Sequence, residues 1–97
     1  MMDHVKAHQW FEKAAEQGNA KAQRNLGYQY EVGWGIPQDD VRAYMWYNLA
    51  AGQFLSRAYQ KNSEKYRDEV AGRMTPAQVA AAQRLASRCQ ARQFKGC

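Results

Sequence analysis

The chain has 97 residues and a formal net charge of +5, enough length for one domain with one modest core. No apolar run approaches the roughly 20 residues of a membrane-spanning helix, and the N-terminus shows no basic segment followed by an apolar one. Val, Ile, Leu and Phe together supply only 13 residues against 16 Ala and 12 aromatics, a balance that argues against a sheet and suits large rings packed on alanines between close helices.

In chain order, Asp3 is a good N-cap for a helix over 4–16, in which Ala7, Trp10, Phe11 and Ala14 follow the i, i+3, i+4, i+7 spacing of a buried face. Gly18-Asn19 is a stop-and-cap signal, and a second helix follows over 20–32 with Ala22, Leu26 and Tyr30 on its apolar face. Gly27, beside Leu26, has no side chain and lets a neighbouring helix come close. Gly33-Trp34-Gly35-Ile36-Pro37 reads as a turn with glycines at left-handed positions and a proline that ends helix propagation. Asp39 caps a third helix over 40–51, where Ala43, Trp46, Tyr47 and Ala50 repeat the spacing of the first. A fourth helix covers 57–71, and Thr75-Pro76-Ala77-Gln78 opens a fifth over 76–92 with proline at the first helical position and a capping-box glutamine.

The helix starts are in phase. A shift of 36 residues aligns 3–15 with 39–51, with identities at Asp3/Asp39, Val5/Val41, Ala7/Ala43, Trp10/Trp46, Ala14/Ala50 and Ala15/Ala51. A second shift carries Asp39 to Thr75. Such a period is that of a solenoid with one helical hairpin per repeat.

Ala22, Leu26, Gly27, Tyr30, Gly33, Gly35, Pro37, Asp39, Ala43, Trp46, Tyr47, Ala50 and Ala51 match, in order, the pattern of Sel1-like repeats, relatives of the tetratricopeptide class, which the chain resembles over most of its length. The resemblance implies an all-α, right-handed solenoid in a single domain. It has a half repeat at 3–18, a full repeat at 20–52, a degenerate repeat and cap helix at 56–92, and a tail at 93–97. Its core would hold Trp10, Leu26, Gly27, Tyr30, Trp46 and Tyr47. The closing helix also resembles the C-terminal end of bacterial Sel1 proteins, so the chain is expected to be the C-terminal portion of a longer array. Its open N-terminal edge suits a homodimer. The fourth helix departs from the pattern, because Asn62-Ser63 stand one period after Leu26-Gly27.

By the same resemblance, the chain is a non-enzymatic module that binds a protein or peptide in a concave groove lined by the second and fourth helices. Positions off the packing face are Lys21, Arg24, Asn25, Tyr28 and Glu31, and, one period later, Arg57, Gln60, Lys61, Glu64 and Arg67. The resulting mildly basic groove suits an acidic segment or a carboxylate through charge-assisted hydrogen bonds, and the same charges also suit an ordinary solvated helix face.

The whole net charge lies in 70–97, where Arg73, Arg84, Arg88, Arg92 and Lys95 meet no acid. Arg84, Arg88 and Arg92 share one helix face. Their alternative reading is a stripe for nucleic acid or another acidic surface, and the competing one is a solvated face matched to the helix dipole. Cys89 and Cys97 are either a disulfide pinning the last helix in an oxidising, periplasmic or secreted setting, or two free thiols in the cytoplasm. Some secreted Sel1-like proteins carry cysteine pairs with the same spacing. His4 and His8 stand at i, i+4, but two ligands do not make a catalytic zinc site, and no metal or cofactor is expected. Three serines without a catalytic partner pattern, and no phosphate-binding loop after a strand, leave no catalytic residue to name.

Overall fold

The computed structural model describes residues 3–97, and the described residues form five helices and no strand: α1 (His4–Glu16), α2 (Ala20–Val32), α3 (Asp40–Gln53), α4 (Arg57–Ala71) and α5 (Pro76–Ala91). Four of the five helices start on a capping side chain, while Ser56 before α4 makes no such bond. Asp3 accepts from the Val5 and Lys6 amides, Asn19 from Ala22, and Asp39 from Arg42. Thr75 and Gln78 satisfy each other's backbone amides at the start of α5. Gly33 ends α2 at φ 76°, a left-handed conformation that glycine adopts without steric penalty. α3 runs on through Gly52 and Gln53 before Phe54 turns extended, and α5 stops at Ala91, where the tail begins to fold back.

α3 is the centre of the packing, with α2, α4 and α5 against it, while α1 packs on α2. One core cluster joins Ala15, Ala22, Leu26, Met45, Trp46, Leu49, Ala86 and Cys89; the other joins Ala43, Tyr44, Tyr47, Val70 and Ala82. Tyr30 is half-buried and packs on both. The alanines are the small surfaces on which the rings and long side chains close, as the composition requires.

Gly27 shows how tight this is. A Cβ built there would lie 2.6 Å from the ring of Tyr47. That ring is fully buried and its hydroxyl donates to Glu31 Oε1 at 2.7 Å, so it is held from both ends. Gly27→Ala is therefore expected to destabilise the fold by about 1–2 kcal/mol, because overpacking against a ring that cannot move costs about 2–3 kcal/mol, the upper part of the usual range, against a helix-propensity gain of about 1 kcal/mol. A thermal or urea unfolding midpoint that stays level or rises would show that the ring gives way freely.

One core expectation is corrected. Trp10 is 74% exposed, whereas its repeat equivalent Trp46 is 4% exposed. Trp46 lies in the first core cluster beside α1 and the C-terminal tail, near Glu12, Glu16 and Cys97. The matching side of α1 carries no such cover among the described residues, because α1 packs on α2.

Candidate functional site

A cleft with aromatic walls, about 470 Å3, lies between α2 and α4 with Tyr47 of α3 at its floor. α2 contributes Arg24, Asn25 and Tyr28; α4 contributes Ala58, Tyr59, Asn62 and Tyr66. Tyr28, Tyr59 and Tyr66 are all partly exposed. Tyr66 stacks on Tyr47 at 5.6 Å between centroids, and Tyr28 meets Trp34 edge-on at 5.3 Å. Aromatic side chains thus continue from the turn after α2 into the cleft.

Arg24 is held in place. Its guanidinium lies 5.4 Å from the Phe54 ring centroid and 5.7 Å from that of Tyr59, and its Nη1 donates to Asn62 Oδ1 at 3.2 Å. Phe54 and Tyr59 themselves stack at 5.3 Å. The cation therefore reaches the cleft with much of its rotamer freedom already lost. Burial, and donation to Glu31, push the Tyr47 hydroxyl well above the ordinary tyrosine range, so it stays a protonated donor committed to that carboxylate. Glu31 also accepts from Arg73, whose Nη2 lies 3.2 Å from both Glu31 and Asp40. The hydrogen bond to Asp40, ahead of that to Glu31, raises the already high Arg73 pKa. This clip ties the α4–α5 connection to α2 and α3 beside the cleft.

The structure brings Arg24, Asn25 and Tyr28 together in this cleft and leaves the other groove positions outside it. Lys21 and Arg57 are exposed on the opening turns of α2 and α4. Gln60 donates to the Phe54 carbonyl, and Arg67 donates to Asn48 of α3 and pairs with Asp68. Lys61 and Glu64 line a separate shallow surface with Lys65, Asp68 and Glu69. The physical reason is that stacked helices present opposite faces to each other. The wall that α4 offers α2 is Ala58, Tyr59, Asn62 and Tyr66, one period after Ala22, Gln23, Leu26 and Tyr30. Asn62 in the place of the buried Leu26 was the available signal, since a carboxamide in a packing row marks a face that is not fully closed.

The remaining candidates separate from one another. His4 stacks on Trp34 at 4.6 Å, while His8 Nδ1 donates to Gln29 and its Nε2 meets Glu12 at 2.7 Å. Arg84 and Arg88 are exposed on α5 and Arg92 just past its end, with Arg88 and Arg92 beside Arg42 and the Cys97 tail. Cys89 and Cys97 form a disulfide with a Cα separation of 5.6 Å. Among the described residues no helix is long and apolar enough to cross a membrane.

Comparison with known proteins places these features in a family. The Sel1 repeat model matches residues 3–19 and 20–53. Chitin synthase regulator SKT5 of Saccharomyces cerevisiae is 44% identical over 59 residues, which cover 61% of this chain and 8% of that protein. Chitin synthase regulatory factor 3 of Schizosaccharomyces pombe is 39% identical over 56 residues, 58% of this chain and 6% of its own. The chain thus spans under a tenth of the length of either relative. No solved structure matches it. The chain belongs to the Sel1 repeat family, whose repeats serve as non-catalytic modules for protein–protein interaction.

Proposed function

We propose that the cleft between α2 and α4 seats a peptide or protein segment, and that the chain acts by holding that segment rather than by transforming it. The observation that carries this reading is the pre-positioned Arg24, stacked beside Phe54 and Tyr59 and bonded to Asn62 at the edge of an aromatic cleft. Such a site offers area for burial and one fixed donor for an acidic or carbonyl group, which is the economy of a peptide-binding surface. The two fungal relatives carry the names of regulators of an enzyme, and capture of a segment is a form that regulation can take.

Charge reversal separates the cleft from the outer surface of α4. With a partner identified by pull-down, Arg24→Glu is expected to weaken binding about tenfold or more, the size of one lost charge-assisted contact at a hot spot. Lys61→Glu, on the separate surface, is expected to leave binding within about twofold. Titration calorimetry with both variants checks this. Equal affinities for wild type and Arg24→Glu would remove the cleft from the interface.

A further inference from the structure

We propose that the segment held in this cleft is proline-containing, runs in the polyproline II conformation, and carries acidic residues at the end nearest Lys21 and Arg57; this rests on the cleft being the binding surface. Hydrogen-bond polarity favours an accepting chain. A guanidinium can only donate, so Arg24 fixes the orientation of the Asn62 carboxamide, with its oxygen turned to Arg24 and its NH2 left for a ligand. Tyr47, the floor residue, has its proton committed to Glu31. The cleft is rich in donors: the Asn62 and Asn25 NH2 groups, the rest of the Arg24 guanidinium, and the hydroxyls of Tyr28, Tyr59 and Tyr66, which can also accept. A polyproline II segment suits such a lining, because its carbonyls make no internal hydrogen bonds and are free to accept, and each proline brings no N–H that needs a partner.

The shape of the cleft suits the same chain. The walls are aromatic faces and edges on both sides of the cleft, supplied by Tyr28 from α2 and by Tyr59 and Tyr66 from α4. Pyrrolidine rings pack on such faces, and a chain already fixed in φ loses little conformational freedom on docking. Charge adds to this. Lys21 and Arg57 are exposed on the opening turns of α2 and α4, and Arg24 reaches Phe54 and Tyr59 at the start of α4, so three cations gather toward the N-terminal ends of the two walls. This disfavours a cationic occupant of the aromatic walls and favours glutamate or aspartate beside the prolines.

The test uses the whole chain and three short fluorescein-labelled peptides, read by anisotropy. The first has two glutamates followed by proline at alternate positions, the second replaces every proline with alanine, and the third replaces the glutamates with lysine. The proline peptide is expected to bind about tenfold more tightly than the alanine peptide and than the lysine peptide. Tyr28→Ala and Tyr59→Ala, both at partly exposed positions, are expected to lose about fivefold or more each, while Tyr59→Phe keeps most of the affinity because the ring face remains. Equal binding of the alanine peptide would overturn the proline assignment and leave the cleft reading in place. Tight binding of the proline peptide that ignores both tyrosine-to-alanine changes would put it elsewhere on the chain and overturn the proposal. Absence of binding by all three peptides would also overturn it, and the Arg24→Glu measurement on a captured partner then decides the cleft separately.

Discussion

Trp46→Ala is expected to destabilise the protein by about 3–5 kcal/mol, whereas Trp10→Ala changes stability by no more than about 0.5 kcal/mol. The two tryptophans are identical in repeat position and opposite in environment. Trp46 packs in the cluster with Leu26, Met45, Leu49, Ala86 and Cys89, so truncation leaves a cavity on which three helices border. Trp10 is mostly in solvent and leaves no void when removed. A small domain has a total stability of about 5–15 kcal/mol, so the first variant sits near the edge of folding. Urea unfolding followed by far-UV circular dichroism measures both, since tryptophan fluorescence is altered by the substitutions themselves. Similar losses for the two variants would mean that the Trp10 side of α1 is covered in solution.

How much of this was legible in the sequence follows from how local each determinant is. The caps at Asp3, Asp39 and Thr75, and the left-handed glycines Gly33 and Gly35, act within a few residues of themselves, and they stand where the sequence puts them. The 36-residue period likewise carried the helix positions, and the buried Leu26, Trp46 and Tyr47 lie where the apolar spacing points. Periodicity names a face but not the neighbour that covers it, which is why Trp10 reads as core and is exposed. The cleft fails to emerge for a related reason. A shift of 36 carries Arg24, Asn25 and Tyr28 of α2 onto Gln60, Lys61 and Glu64 of α4, whereas the wall facing them is built from Tyr59, Asn62 and Tyr66. Translation along a stack preserves the identity of a position and reverses which side of the helix looks at a given neighbour. The clip of Arg73 to Glu31 and Asp40 lies further still from sequence reasoning, since its partners are 42 and 33 residues away.

Opening the Cys89–Cys97 bridge is expected to lower stability by about 2–3 kcal/mol, from loop-closure entropy returned to the unfolded chain across a separation of eight residues. The local consequences reach further than the bridge. Gln93 and Phe94 lie at φ 55° and 67°, left-handed conformations that cost a residue with a side chain about 1–2 kcal/mol each. They are kept there by a tail that is tied down at several points. The Phe94 amide donates to the Cys89 carbonyl at 2.8 Å, Arg42 Nη1 to the Cys97 carbonyl at 2.8 Å, and Lys95 Nζ to the Glu16 carbonyl at 3.0 Å. These contacts join the end of α5 to α1 and α3, and Phe94 and Cys97 pack on the cluster that holds Trp46. Once the covalent tie is cut, the backbone at 93–94 gains by leaving the left-handed region, so Phe94 and Cys97 lift away before α5 itself unfolds. Reduction, and Cys97→Ala under oxidising conditions, should therefore give the same lowered urea midpoint. Both should also give faster amide exchange at Arg92–Lys95 and a red shift of the Trp46 emission measured in a Trp10→Phe, Trp34→Phe background. A midpoint unchanged by reductant would show that the packing of Phe94 and the Arg42 and Lys95 contacts suffice to hold the tail, and that the bridge adds nothing to the folded state's advantage.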